Sequence, residues 1–367
     1  MAHIATEPDT VFVTGFPGFI AGRLVQRLWA SEPHPGRYCF LVQRRFAYPA
    51  RAACEAMARR FPQMQGRWQV VVGDITRPDL GLGQAALTAL RAEVTRVWHL
   101  AAIYDLAVAQ STAWRINVDG TRHVLDLCES MPHLKTLLYI STCYVAGTQT
   151  GKVLETELDR GQAFANHYEA TKFHAEKEVC RRALPTIIFR PAIVVGDSAS
   201  GQFAKVDGPY HLLQLLTRLP TWMPIPRLGG GETVINLVPV DWVVDAMVQI
   251  SNDARAVGRT FHLADPDPPT TADVLALMVQ ALGRRPPRGR VPMSAIVGLA
   301  RSGLLAWTTH IPAELMPYMV SGADFDVSNT AELLTGCGLR CPRFGDYVDT
   351  LVRWATHHPH LLQGAHP

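Results

Sequence analysis

Tyr168 and Lys172 lie four residues apart in a segment whose composition favours a helix, so both side chains share one helix face. An ammonium group beside a phenol favours the phenolate and lowers the pKa of the phenol, which is ordinarily about 10. A tyrosine tuned in this way can donate a proton to a carbonyl oxygen that becomes negative during hydride reduction. Such pairs are also common on helix surfaces, so other residues must support this interpretation.

Two more polar side chains could complete such a site. Thr142 follows a predicted buried strand, where its hydroxyl could hydrogen-bond a substrate oxygen and stabilise the charge that develops there. A simple cap of the strand end is the alternative. Asn117 could position a water molecule or a backbone group for proton relay. Glu169 and Glu176, on the same helix as Tyr168, are predicted to face solvent.

A glycine-containing turn near the start of the chain predicts where a dinucleotide would bind. Residues Gly15-Phe16-Pro17-Gly18-Phe19-Ile20 follow a short β-branched and aromatic strand and open a helix. Gly15 allows the tight turn, and Gly18 lets the backbone approach a pyrophosphate at the helix N-terminus. Ala21 replaces the third glycine of the usual pattern and is small enough for close helix–strand packing. An ordinary strand–turn–helix connection is the alternative.

The end of the second predicted strand indicates which cofactor the turn would bind. Enzymes that use NAD(H) usually place an acidic residue there for the ribose 2′-hydroxyl, and this chain has Arg44 and Arg45 instead. Two guanidinium groups suit a 2′-phosphate through charge-assisted hydrogen bonds. The sequence therefore predicts NADP(H) in preference to NAD(H), which stays possible. A solvated basic loop is the other interpretation.

Residues after the third and fourth predicted strands are further candidates for cofactor contacts. Asp74 and Ile75 could flank an adenine, although an aspartate that caps a turn is nearly as common. Ala101 and Ala102 are small enough to let the backbone lie against a cofactor, and packing alone would also explain them.

The elements that must position these residues alternate between strand and helix. Predicted strands cover 10–14, 37–43, 68–72, 93–100, 134–140 and 186–190, and predicted helices cover 18–29, 50–60, 113–130 and 167–182. This alternation predicts an α/β fold with a Rossmann-type, doubly wound parallel sheet. Ligands bind beyond the carboxyl ends of the strands in such sheets, and each motif above falls at such an end or on the helix that follows.

The chain divides in composition near residue 197. We predict a Rossmann cofactor-binding and catalytic domain over 1–197 and a smaller, mostly helical substrate-binding lobe over 198–367. Residues 232–265 are expected to return to the Rossmann core. The apolar segment 210–226 would line or cover the substrate site, or pack the lobe internally.

Composition excludes several other classes of protein. The 367 residues carry a net charge of only +3, spread along the chain, which argues against a nucleic-acid partner. Seven scattered cysteines indicate a reducing compartment, and Cys337 with Cys341 lacks the second ligand pair of a zinc site, so no metal is expected. Without a predicted signal peptide or transmembrane segment, the protein is expected to be cytoplasmic.

Together these motifs resemble the extended short-chain dehydrogenase/reductase superfamily over most of the first 265 residues. The matching segments read TGFPGFI at 14–20, GDI at 73–75, HLAA at 99–102, NVDGT at 117–121, ST at 141–142, YEATK at 168–172 and FRPAIVVG at 189–196. The resemblance implies that Thr142 rather than Ser141 is the catalytic hydroxyl. It also implies that Pro191, Ile193 and Val194 lie along the nicotinamide, and it makes a homodimer possible.

The segments LVPVDWV at 237–243 and ISTCYVAG at 140–147 look like the thioester-reductase and fatty acyl reductase branch. That likeness implies NADPH-dependent reduction of an acyl thioester, with acyl-CoA or an acyl-carrier protein as the partner, to an aldehyde or alcohol. Tyr104, Cys143 and Tyr144 are the candidates for substrate contacts.

Two alternatives remain open. The first is an alcohol or ketone dehydrogenase-reductase, or an epimerase, with a hydroxysteroid, flavonoid-like or nucleotide-sugar substrate. The second is a non-enzymatic NADP-binding sensor, against which the intact Thr142, Tyr168 and Lys172 argue.

Overall fold

A parallel sheet forms the body of the protein. The computed structural model describes residues 9–31, 36–105, 108–204, 208–228, 233–291 and 322–362. Its strands are β1 (Thr10–Thr14), β2 (Arg37–Val42), β3 (Trp68–Val72), β4 (Arg96–His99), β5 (Thr136–Ile140), β6 (Gly151–Val153), β7 (Thr186–Pro191), β8 (Ile193–Val195), β9 (Arg227–Leu228), β10 (Leu237–Pro239), β11 (Thr260–Leu263), β12 (Arg290–Val291) and β13 (Ala323–Phe325). Seven of them pair in the order β3-β2-β1-β4-β5-β7-β11, and each neighbouring pair is parallel.

Helices cover both faces of this sheet. They are α1 (Phe19–Ser31), α2 (Ala47–Arg60), α3 (Gln84–Glu93), α4 (Gln110–Ala113), α5 (Gly120–Glu129), α6 (His167–Arg181), α7 (Pro209–Arg218), α8 (Val240–Ser251), α9 (Thr271–Ala281), α10 (Ser328–Leu334), α11 (Phe344–His357) and α12 (Pro359–Leu362). Because both faces are covered, the central strands read as continuous apolar runs, and β5 is buried at all five positions.

The strand order confirms the predicted Rossmann-type sheet. Strands β1 and β3 have the predicted bounds, and the other predicted elements differ from the observed ones mainly at their ends. The predicted helix over 113–130 is the exception, since a π-helical segment, Trp114–Asp119, separates α4 from α5. A π-helical turn inserts an extra residue into the helix, which the apolar periodicity of a sequence does not reveal.

Residues that follow position 197 contribute to both the sheet and a separate lobe. Strand β11 pairs with β7 at the edge of the sheet, and α8 packs against α1. A third apolar cluster, distinct from the two that pack around the sheet, is built mainly from α7, α9 and α11 and forms the core of the lobe. The lobe therefore has a hydrophobic core of its own, joined to the sheet through α8 and β11.

The turn between β1 and α1 depends on the backbone conformation of Gly15. Gly15 has a φ of +86°, and a Cβ atom there would stand 2.8 Å from the backbone nitrogen of Ala101. The Gly18 nitrogen donates a hydrogen bond of 2.9 Å to the Gly15 carbonyl, which closes the turn directly before the helix. Gly22, inside α1, has no atom nearer than 3.9 Å to such a Cβ.

We predict that Gly15→Ala lowers the free energy of unfolding by at least about 1–3 kcal/mol, because alanine is strained at positive φ and meets the Ala101 backbone. Gly22→Ala is the matched control, and it should be neutral or stabilise by up to about 1 kcal/mol, since alanine favours helix. Thermal and denaturant unfolding of both variants measure the difference. Equal stabilities would contradict this account of the turn.

Candidate active site

A large cavity lies between the carboxyl ends of the sheet strands and the lobe. Its volume is about 1110 Å³. The cofactor-side wall includes the β1–α1 turn and residues 73–76, and the opposite wall comes from α7, α9 and the segment between them. Tyr168, Lys172 and Thr142 line the same cavity. Open parallel sheets bind their ligands at this position, beyond the carboxyl ends of the strands and at the point where the strand order reverses.

The β1–α1 turn presents mainly backbone to the cavity. Phe16 is buried and its ring packs 4.5 Å from that of Phe40, so its side chain belongs to the core. Pro17, Gly18, Phe19 and Ile20 all line the cavity. A side chain at Gly15 or Gly18 would collide with neighbouring backbone atoms, so the backbone itself is exposed to a ligand there. The turn and the start of α1 therefore fit the pyrophosphate of a dinucleotide.

A short polar chain lies where a 2′-phosphate or ribose would be expected. The Arg45 Nε donates to Gln43 Oε1 at 3.1 Å, and Gln43 Nε2 donates to Asp74 Oδ2 at 3.3 Å. Burial alone would raise the pKa of Asp74, but hydrogen bonds from Thr76 and Gln43 hold that pKa below its usual value. Arg45 lines the cavity, whereas Arg44 is exposed and lies off its wall.

The small residues after the neighbouring strands also reach the cavity. Ile75, Ala101 and Ala102 all line it. The Ala101 nitrogen donates a 3.2 Å hydrogen bond to Thr14 Oγ1, which fixes this part of the wall to the end of β1.

Tyr168 stands in the first turn of α6 and meets Thr142 across the cavity wall. Asn166 caps the helix, since its side chain accepts a 3.0 Å hydrogen bond from the Glu169 nitrogen. The Tyr168 hydroxyl is hydrogen-bonded to the Thr142 side chain, and the Tyr104 ring packs edge-on at 5.0 Å. Burial raises the pKa of Tyr168 above its usual value, against the lowering effect of Thr142. The phenol is therefore protonated at neutral pH and able to donate.

Lys172 is buried and has two oxygen acceptors. Its Nζ donates to the Tyr139 hydroxyl at 2.9 Å and to the Ile140 carbonyl at 2.7 Å. Burial lowers the pKa of Lys172 from 10.5 to about 7, and the Glu176 carboxylate opposes this shift. The structure does not show the expected lowering of the Tyr168 pKa by Lys172. The Lys172 ammonium is hydrogen-bonded to residues of β5, and burial has the larger effect on the pKa of the Tyr168 phenol.

Asn117 lies in the π-helical segment and organises backbone rather than facing the cavity. Its Oδ1 accepts a 2.9 Å hydrogen bond from the Ile103 nitrogen, and its Nδ2 donates to Thr171 Oγ1 at 3.0 Å. These contacts join the loop after β4 to α6. The structure thus supports a positioning role for Asn117 at the back of the site.

The remaining predicted residues divide into two groups. Pro191, Ile193, Val194, Tyr104 and Tyr144 line the cavity. Cys143 does not, because it is fully buried and its Sγ donates to the Arg190 carbonyl at 2.9 Å. The candidates for substrate contact are therefore Tyr104 and Tyr144.

The prediction that Glu169 and Glu176 face solvent is wrong. Glu169 Oε2 accepts a 2.9 Å hydrogen bond from the Ala165 nitrogen and so helps to cap α6. Glu176 is fully buried, and its Oε1 accepts hydrogen bonds from Arg190 Nε at 2.9 Å and Nη2 at 2.6 Å. Its other oxygen accepts from the Ser141 hydroxyl. Since Lys172 and Glu176 are four residues apart, the spacing that buries one also buries the other.

Sequence reasoning missed Tyr139, Arg190 and Glu176 as parts of the site. The helical spacing from Tyr168 through Lys172 to Glu176 is a signal that could have identified Glu176. A single arginine within the apolar strand β7 indicates a buried ion pair, because an unpaired buried charge is too unfavourable. Tyr139 has no such signal, since tyrosine is an ordinary residue of a buried strand.

The fold and the cavity define an oxidoreductase of the extended short-chain dehydrogenase/reductase type. The chain belongs to the NAD-binding male sterility protein family, whose model matches residues 13–247. A nicotinamide cofactor follows from this membership. The match includes the β1–α1 turn, Thr142, Tyr168 and Lys172.

Similar proteins and a similar solved structure agree with this assignment. The chain is 28% identical over 288 residues to a glycine betaine reductase of Emericella nidulans, covering 73% of this chain and 22% of that protein. It is 25% identical over 310 residues to a putative fatty acyl-CoA reductase of Drosophila melanogaster, covering 69% and 58%. The terminal R domain of the myxalamid PKS-NRPS pathway superposes with a TM-score of 0.79 at 23% identity, covering 98% of this chain and 93% of that domain. The chain thus spans only part of the length of the two curated relatives.

Neither a metal cluster nor a membrane span is found in the described part of the chain. No group of three or more His, Cys, Asp or Glu side chains there could hold a metal ion. Likewise, none of the helices described above combines the length and apolar character needed to cross a bilayer.

We predict that Glu176→Ala lowers the free energy of unfolding by about 3–5 kcal/mol, since it leaves the Arg190 guanidinium buried without its carboxylate. Glu178→Ala is the matched control on the same helix. Its carboxylate pairs at the surface with Arg181 at 2.9 Å, so the loss should stay within about 1 kcal/mol. Denaturant unfolding measures both. Equal losses would show that the buried pair does not stabilise the fold.

Proposed function

We propose that the protein is an NADPH-dependent reductase of an acyl thioester, either acyl-CoA or a carrier-bound acyl group, or of a related hydrophobic carbonyl. The observation that carries this proposal is the shared cavity. Its wall contains the dinucleotide-type turn, the protonated Tyr168 that is hydrogen-bonded to Thr142, and an apolar surface of the lobe. Membership of a family whose relatives include fatty acyl-CoA reductases supports the thioester as substrate.

The chemistry assigns one task to each polar side chain. When bound, a reduced nicotinamide supplies the hydride for the carbonyl carbon. Tyr168 gives its phenolic proton to the carbonyl oxygen, and Thr142 hydrogen-bonds that oxygen as charge develops. The product is a hemithioacetal. When it collapses, its hydroxyl proton returns to Tyr168, the C–S bond breaks, and the thiolate takes a proton from solvent, which leaves aldehyde and free thiol.

The lobe supports an apolar acyl group. Leu212 and Leu215, one turn apart on α7, line the cavity, and Val274 lines it from α9. Pro226 and Val291 add to the same wall. An uncharged acyl chain buried against such a surface gains roughly 0.8 kcal/mol for each methylene removed from water. Of the predicted segment 210–226, Trp222 does not line the cavity and is 79% exposed.

Thiol release is the first prediction from this mechanism. Purified protein with acyl-CoA should oxidise NADPH and release free thiol in equal amounts, measured by absorbance and a thiol reagent. Tyr168→Phe should lower kcat by about 10²–10⁴-fold, because the proton donor is lost. Thr142→Ala should lower it by about 10²–10³-fold. Tyr48→Phe is the control, since Tyr48 is 83% exposed on α2.

Two results would contradict the thioester mechanism. NADPH oxidation without thiol would exclude thioester cleavage. Turnover of ketones or alcohols alone would place the protein among the alcohol dehydrogenases or epimerases.

Cofactor choice is the second prediction. Arg45→Ala should weaken NADPH binding by about tenfold or more and leave NADH binding nearly unchanged, because it removes a charge-assisted contact to the 2′-phosphate. Arg44→Ala is the matched control and should have the smaller effect, since Arg44 lies off the cavity wall. Titration of each variant with NADPH and NADH, followed by fluorescence, measures both. Equal effects on the two cofactors would contradict a phosphate contact at Arg45.

A further inference from the structure

The contact between Lys172 and Tyr139 is the end of a longer hydrogen-bonded chain. The Tyr139 hydroxyl is also hydrogen-bonded to the Thr121 side chain. His99 Nε2 lies 3.1 Å from Thr121 Oγ1, and His99 Nδ1 lies 2.7 Å from Thr14 Oγ1. Thr14 Oγ1 accepts from the Ala101 nitrogen at 3.2 Å. The chain thus runs through the interior from Lys172 to the wall of the cofactor cavity.

Each hydroxyl group in this chain has a single hydrogen to donate, and this fixes the donor and the acceptor of each hydrogen bond. The Thr121 hydroxyl donates its hydrogen to the Asn117 carbonyl at 2.6 Å, so its oxygen must accept from its other neighbours. Tyr139 therefore donates to Thr121 and can only accept from Lys172. Burial, with the Lys172 ammonium nearby, lowers the pKa of His99 to about 3, so His99 is neutral. It donates through Nε2 and accepts from Thr14 through Nδ1.

Tyr139 is suited to hold an ammonium group in a fixed place. It is 1% exposed and is the fourth of the five residues of β5, a strand paired on both sides by β4 and β7. Lys172 Nζ lies 4.5 Å from the centre of its ring, so the face of the ring adds a cation–π contact to the hydrogen bond.

We propose that Tyr139 is the positioning residue of Lys172, and that it fixes the ammonium group at the end of a buried hydrogen-bonded chain that begins on the wall of the cofactor cavity. The proposal rests on the proposed function only in treating Lys172 as part of the cofactor site. The contacts on which it is based are those of the protein without a bound ligand.

The surroundings of Lys172 determine the direction of the expected effect. The titratable groups that face it are Tyr139 on β5, His99 on β4, and Tyr168 and Glu176 on its own helix. Glu176 alone stabilises the ammonium by charge, while Tyr139 and the Ile140 carbonyl stabilise it by accepting hydrogen bonds. Removing the Tyr139 hydroxyl leaves the charged form with one acceptor fewer, so the pKa of Lys172 must fall further.

Tyr139→Phe tests this in the unliganded chain of 367 residues. The protein has five lysines, so labelling with ¹³C at the lysine ε-carbon gives few NMR signals, and Lys172→Met assigns the one that matters. The Lys172 signal in the parent should titrate well below the other lysines. In Tyr139→Phe its midpoint should fall by about one to two pH units, the effect of one hydrogen bond to a charge.

Tyr347→Phe is the matched control. Tyr347 is also buried, and its hydroxyl donates at 3.3 Å to the Leu237 carbonyl in the lobe, far along the chain from Lys172. This variant should leave the Lys172 midpoint unchanged, which separates a local effect from general destabilisation. An unshifted midpoint in Tyr139→Phe, or an equal shift in Tyr347→Phe, would overturn the proposal.

A second variant covers the case in which Tyr139→Phe does not fold. Thr121→Val removes the acceptor that orients the Tyr139 hydroxyl, and Thr121→Ser keeps it. The valine variant should shift the midpoint of the Lys172 titration, and the serine variant should leave it unchanged. Equal midpoints in the two variants would contradict the proposed hydrogen-bonded chain. Because no substrate or cofactor enters these titrations, failure of thioester reduction would leave their outcome unaffected.

Discussion

One face of a helix buries two charged side chains, and the contacts of the surrounding elements depend on how these charges are hydrogen-bonded. Helix α6 places Tyr168, Lys172 and Glu176 at successive four-residue intervals, and the last two are almost wholly inaccessible to solvent. An ammonium and a carboxylate removed from water are strongly unfavourable unless hydrogen bonds replace their hydration. The surrounding strands supply those bonds. Tyr139 and the Ile140 carbonyl accept from Lys172, while Arg190 donates to Glu176.

The same requirement extends to the C-terminal part of the chain. Arg190 uses its remaining hydrogens on the Glu157 carbonyl at 2.9 Å and on His262 at 3.1 Å, and His262 in turn contacts the Asp326 carbonyl at 2.7 Å. Burial lowers the pKa of His262 to about 3, so it stays neutral and can accept from Arg190. Satisfying one buried ion pair thus joins α6, β7, β11 and the chain after β13.

Much of the fold was predictable because its signals are local. The β-branched run before Gly15 and the helical spacing around Tyr168 depend on neighbouring residues only. Contacts across the sheet were not predictable in this way. Predicting that Glu176 faces solvent failed because the side of α6 that meets Arg190 depends on how β7 pairs with β5. The exclusion of Cys143 from the cavity likewise follows from its bond to the Arg190 carbonyl.

The Rossmann-type architecture, the glycine turn and the helix that carries Tyr168 and Lys172 follow from the amino-acid sequence, since periodicity and backbone conformation are properties of short segments. The contacts of those groups depend on the packing of the whole chain. Lys172 donates a hydrogen bond to Tyr139 and not to Tyr168, and the phenol of Tyr168 is protonated beside Thr142. These outcomes are not local because pKa values and hydrogen-bond partners depend on burial and on residues distant in the chain, which come together when the sheet and its helices pack.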